Sequence, residues 1–156
     1  MYYVIFGLLG AALLGADQWV KAWVVGHLQM GETTSLFPGF LELMRVHNYG
    51  AAWSSFSGAR WLLIALTAAG MCAIAWLLVK IVRHPLGQWS LAIILGGGIG
   101  NLIDRVLNGE VVDYINPLFI DFAVFNFADI LVCVGVALWV LVILLEEVED
   151  KPSKEQ

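Results

Sequence analysis

Four long apolar runs, almost free of charge, decide what this 156-residue chain can fold into. Met1–Ala16 carries no charged side chain, and its apolar pattern continues to about Val25, past Asp17 and Lys21. Trp61–Val79 and Leu86–Ile103 carry none, and Phe122–Leu145 carries one, Asp129. About 20 apolar residues cross a bilayer as a helix. Lipid offers no partner to open backbone groups, so these runs are expected to be helices, and none has the short alternation of a β-barrel strand. The whole chain is 60% hydrophobic and 13% charged, against about 25% charged in a soluble domain. It cannot cover a water-facing surface, which excludes an ordinary soluble enzyme and a disordered chain. The net charge of −5 also argues against a nucleic-acid partner. The expectation is an all-α integral membrane protein. Its single membrane domain, residues 1–156, has spans at about 2–25, 61–79, 86–104 and 122–145. Met1–Ala16 lacks a basic leading segment and is read as a retained helix, not a cleaved leader.

Lys80 and Arg83 lie in the short connection Lys80–Pro85, and Lys151 and Lys154 lie in the tail, residues 146–156. By the positive-inside rule both are expected in the cytoplasm. Residues 26–60 and 105–121 then lie outside, although Arg45, Arg60 and Arg105 on that side make the bias modest. Trp19, Trp23 and Trp61 fall near outer helix ends, and Trp76, Trp89 and Trp139 near inner ends, as in two aromatic belts. In residues 26–60, a turn signal at Phe37-Pro38-Gly39-Phe40 precedes a weakly alternating stretch to Val46. That predicts a small extracytoplasmic β element. The charged tail is expected to fray.

Ionisable groups in or beside a span are costly and point to function. Here they gather at one membrane face: Asp17 and Lys21, Asn48, Asn101, Asp104 and Arg105, Asp113, and Asn126 and Asp129. Asp129 is seven residues past Phe122, so it is expected about 10 Å inward at 1.5 Å per residue. Asp113 sits on a loop that can fold back to the helix mouths. Two carboxylates meeting there in a low dielectric would share a proton. Such a pair suits hydrolysis of a peptide bond, with one member taking a proton from water and the other donating to the carbonyl. Blander readings stand beside this one. Asp17 and Lys21, spaced i,i+4, make a structural ion pair, and Asp104 reads as structural support. Asp121 reads as the acid that opens the fourth helix. Asp129 alone could relay protons in a small transporter, and the whole set could be helix glue in a structural subunit. Cys72 and Cys133 read as core residues. No HExxH or CxxC spacing occurs, so no metal is expected.

Four blocks resemble one family, in its order along the chain. They are Asp17-Gln18-Trp19-Val20-Lys21; Asn48-Tyr49-Gly50-Ala51-Ala52-Trp53-Ser54; Gly96-Gly97-Gly98-Ile99-Gly100-Asn101-Leu102-Ile103-Asp104-Arg105, continuing to Val111-Val112-Asp113-Tyr114; and Phe125-Asn126-Phe127-Ala128-Asp129. The chain resembles the prolipoprotein signal peptidases (signal peptidase II), which are bacterial membrane aspartyl peptidases. The resemblance implies catalytic Asp113 and Asp129, with Asn48, Asn101, Arg105 and Asn126 around the substrate and Asp17, Lys21 and Asp104 as structural polar groups. It implies cleavage of prolipoprotein signal peptides just before a diacylglyceryl-modified cysteine. It implies a multi-pass protein of the bacterial cytoplasmic (inner) membrane, with its site at the extracytoplasmic face and a mobile flap over it. A monomer among membrane lipids is expected, without cofactor or metal. Trp53 stands where the family usually has Phe, and Tyr114–Ala128 is shorter than in many members.

Overall fold

The computed structural model describes residues 2–51, 53 and 55–149. Among the described residues, four helices are long and apolar enough to cross a membrane. They are α1 (Tyr2–His27), α2 (Arg60–Trp76, prolonged by a π-helical turn, Leu77–Ile81), α3 (Pro85–Leu107) and α4 (Phe127–Glu149). Three strands join them: β1 (Thr33–Phe37), β2 (Leu41–Asn48) and β3 (Val111–Pro117). The protein is a multi-span membrane protein with one small sheet.

The helix α3 is the centre of the bundle, and α1, α2 and α4 all pack on it. Half of its spanning stretch, 50%, is buried inside the protein, against 22% or less for the other three. Lipid gives no hydrophobic drive for this packing, so close backbone approach has to supply it. Gly97 admits the α4 backbone, where a Cβ would strike the Ala128 carbonyl, and Gly100 admits the Asp17 carboxylate. At the end of the bundle away from the sheet, Phe6, Leu78, Val82, Leu91, Ala92 and Ile94 form one apolar cluster. Val24, Leu28, Val112 and Tyr114 form a second under the sheet.

The strands lie in the order β1-β2-β3, each antiparallel to the next. The hairpin β1–β2 falls within the predicted β element. The third strand, predicted as loop, completes the sheet by pairing Val111 with Asn48 and Asp113 with Val46 across a bulge in β2. Val111, Val112 and Tyr114 are β-prone, and they and Asp113 are all buried. A strand covered on both faces shows no apolar alternation, so its pattern is silent in the sequence.

Three expectations need correction. The fourth helix starts at Phe127, not Phe122. Phe125 instead bridges to Ile115, with its N–H on Ile115 O at 3.1 Å. Asp121 therefore caps nothing, and Asp129 stands in the first helical turn, not two turns into the membrane. Hydropathy counts the apolar side chains of residues 122–126 but does not see their extended backbone. Cys72 and Cys133 are exposed, not core. A lipid-facing surface is as apolar as a core, so composition alone does not separate the two. The tail begins later than predicted, since α4 runs to Glu149; residues 150–156 lie outside the described residues.

Candidate active site

Where β3 turns back through the Ile115–Phe125 bridge, the chain delivers Asn126 and the start of α4 beside Asp113. Every backbone N–H at that helix start finds a partner. Asp129 N donates to Asn126 Oδ1 at 3.0 Å, and Asn126 N donates to Asp129 Oδ2 at 3.0 Å. This is a reciprocal capping box with Asn126 as N-cap. Phe127 N donates to Tyr114 Oη at 3.1 Å, and Ala128 N to Asp17 Oδ1 at 3.1 Å. The carboxylate of Asp129 is thus fixed by the geometry of a helix N-terminus, where negative charge is favoured.

Neutral amides orient both carboxylates. Asn126 Nδ2 donates to Asp113 Oδ1 at 2.7 Å, and Asn48 Nδ2 to Asp113 Oδ2 at 2.9 Å. Asn101 Nδ2 donates to Asp129 Oδ1 at 2.8 Å. Asn126 therefore touches both aspartates, one through its side chain and the other through its backbone. Burial pushes the Asp113 carboxyl up to about 6. The Asn48 and Asn126 hydrogen bonds pull it down, and the neighbouring Asp129 charge pushes it up further.

Behind the amides lies an ionic cluster. Lys21 Nζ is 2.8 Å from Asp17 Oδ2 and 2.7 Å from Asp104 Oδ2, all nearly sealed from solvent. The ammonium also donates to Asn101 Oδ1 at 2.9 Å. Asn101 then has only its NH2 group to offer Asp129, so Lys21 fixes which way that amide points. Gln18, absent from the sequence-based set, ties the cluster together by donating to Asp104 Oδ1 at 3.0 Å and to Gly100 O at 3.3 Å. Its place inside the Asp17–Lys21 block was the only signal for it.

Asp113 and Asp129 line a cavity of about 810 Å³, together with Asn48, Asn101 and Arg105. One wall is α2, from Leu66 to Met71, and the other is α4, from Asp129 to Val134. Trp53 and Phe122 meet at the rim, ring centroids 5.4 Å apart. Arg105 holds Gly50 O at 2.9 Å and Asn101 O at 3.3 Å, while its buried Nε has no partner among the described residues. Among the described residues, no three His, Cys, Asp or Glu side chains converge as a metal-ligand set.

Residues 9–145 match the family described as Signal peptidase (SPase) II. The chain belongs to that family. It is accordingly a peptidase of aspartic type. It is 42% identical over 132 residues to the lipoprotein signal peptidase of Lactococcus lactis, covering 85% of this chain and 88% of that one. Against the lipoprotein signal peptidase of Enterococcus faecalis it is 38% identical over 154 residues, covering 97% and 94%. A bacterial membrane enzyme solved in meso at 2.3 Å resolution has the same fold, with TM-score 0.88 and 31% identity over 97% of this chain and 94% of that one. The family match spans all four blocks read from the sequence. In this signal peptidase II chain every one of the nine polar residues named there belongs to one hydrogen-bonded assembly at the sheet end of the bundle.

Proposed function

We propose that Asp113 and Asp129 form the catalytic dyad of a lipoprotein signal peptidase. The enzyme cleaves the signal peptide of a prolipoprotein just before its diacylglyceryl-modified cysteine. The observation that carries this is that Asn126 bridges the two carboxylates at the wall of one cavity. The ionised member takes a proton from the attacking water, while the protonated member donates to the scissile carbonyl oxygen. The raised Asp113 carboxyl suits a pair that keeps one proton between them.

The remaining groups hold the peptide. The unpartnered Arg105 Nε–H offers a donor to a substrate carbonyl. Asn48, Asn101 and Asn126 keep the carboxylates aimed, and Asp17, Lys21 and Asp104 hold Asn101. The cavity runs down between α2 and α4, so a lipidated peptide reaches the dyad while its acyl chains stay in the bilayer. We assign the enzyme to the bacterial cytoplasmic membrane as a monomer forming one domain. The sheet end faces away from the cytoplasm, in keeping with Lys80 and Arg83 at the opposite end.

The test is cleavage of a diacylglyceryl-modified prolipoprotein by Asp113→Asn and Asp129→Asn variants in lipid or detergent. Each variant is expected to lose turnover by about 10²–10⁴-fold, the usual contribution of a general acid or base, while staying folded. Wild-type turnover in either one removes the dyad.

A further inference from the structure

Arg60, unused so far, opens α2 and reaches across to the end of α3. Its Nε donates to Arg105 O at 2.9 Å and its Nη2 to Val106 O at 2.8 Å. These carbonyls belong to the last helical turn and carry the negative end of its dipole; Arg105 O also accepts from Gly109 N at 3.2 Å, and Arg60 takes its second lone pair. One guanidinium from another helix thus caps two consecutive carbonyls through two N–H groups held in one rigid plane, a geometry that the ammonium of Lys does not pre-set. The turn beyond is shaped to it. Gly109 has a φ of +84°, and a Cβ there would press on the Arg60 guanidinium. A plain interfacial anchor would extend its guanidinium toward water, whereas this one turns it onto backbone carbonyls.

The carbonyl that Arg60 Nε holds is that of Arg105. The Arg105 side chain in turn holds Gly50 O at 2.9 Å. Gly50 N donates to Asn48 Oδ1 at 2.9 Å, and Asn48 Nδ2 donates to Asp113. Gly50 and Arg60 bracket the segment that brings Trp53 to the cavity rim, and both are tied to Arg105, one through its side chain and one through its backbone.

We propose that Arg60 is a positioning residue for the peptidase reaction. It fixes the end of α3 so that Arg105 keeps Gly50 in place and presents its free Nε–H to the bound peptide. The proposal rests on the dyad reading above. A donor to substrate backbone acts on binding in ground and transition states alike, so its loss appears in KM.

The experiment measures kcat and KM for a diacylglyceryl-modified prolipoprotein with Arg60→Gln, Arg60→Lys, Arg105→Lys and the double variant Arg60→Gln/Arg105→Lys, beside Asp113→Asn. Arg60→Gln is expected to raise KM about tenfold with kcat within about threefold of wild type. Arg60→Lys recovers part of that loss, because it restores one donor of the two. In the Arg105→Lys background, Arg60→Gln is expected to add less than a twofold change, since residues acting as one unit are not additive. Melting temperatures are taken for each variant. Additive losses in the double variant overturn the proposal, as does an unchanged KM in Arg60→Gln. A loss in both Arg60 variants that only follows a fall in melting temperature overturns it too. Failure of the dyad itself is read separately, from turnover by Asp113→Asn.

Discussion

Two pairs of aspartates lie at the same end of this bundle in opposite surroundings. Asp17 and Asp104 flank Lys21, each within 2.8 Å of its ammonium, and all three side chains are sealed between α1 and α3. Asp113 and Asp129 accept hydrogen bonds from neutral amides of Asn48, Asn101 and Asn126 and from the backbone of Asn126, and they line the cavity. The first pair already has its counter-ion and is closed off from the cavity. The amides orient the second pair without supplying a counter-charge and leave it facing the cavity. This difference in partners is what supports the proposal that the chemistry belongs to the second pair.

Replacing Lys21 with Met tests the contrast most severely. It leaves two buried carboxylates without their cation, which is expected to cost about 3–5 kcal/mol of stability. Denaturation in micelles measures it. A Lys21→Met protein as stable as wild type but inactive would mean that the ionic cluster belongs to the chemistry and the contrast is false.

Asp113→Asn probes the second pair through the pH dependence of stability. Burial raises the carboxyl to about 6 in the folded chain, from 3.8 in the unfolded one. Between those values the folded chain holds more protons than the unfolded one, so stability falls as pH rises. At about 1.4 kcal/mol per pH unit, the charged carboxylate weakens the fold above pH 6 by on the order of 2–3 kcal/mol. Asparagine avoids that cost but accepts from only one of the Asn48 and Asn126 amides, which is a pH-independent loss. The melting temperature of the variant relative to wild type is expected to be higher at pH 8 than at pH 4, with any gain shrinking toward pH 4. A gain equal at both pH values would show that Asp113 charge is not its source.

Tyr114→Phe is the mildest probe. It removes the acceptor of the Phe127 N–H at the start of α4, worth about 1 kcal/mol as a helix cap. Because Asp129 stands two residues further on, a fall in kcat of less than tenfold with nearly unchanged KM is expected. An unchanged kcat would mean that the capping box with Asn126 fixes Asp129 unaided.

Much of this architecture could be read along the chain. Charge-free runs of spanning length announce helices, because the bilayer penalises any other backbone. The clustering of Asp, Asn and Lys at the ends of those runs announced that they would meet at one end of the bundle, since such groups are too costly to scatter through lipid. The start of α4 and the strand β3 were misread, because both depend on partners distant in sequence. Phe122–Phe125 is apolar enough for a helix but is drawn out by pairing with β3, and Val111–Tyr114 is a strand because Asn48 and Val46 lie opposite. Arg60 has no local mark at all, since its meaning lies in two carbonyls 45 and 46 residues away. What the linear chain determined is therefore what solvent and lipid judge residue by residue: which stretches enter the membrane and which side chains they reject. What only the folded chain decided is which carboxylates receive an ammonium and which receive amides, because hydrogen-bond partners are chosen by distance in space, and a sequence carries no such distances.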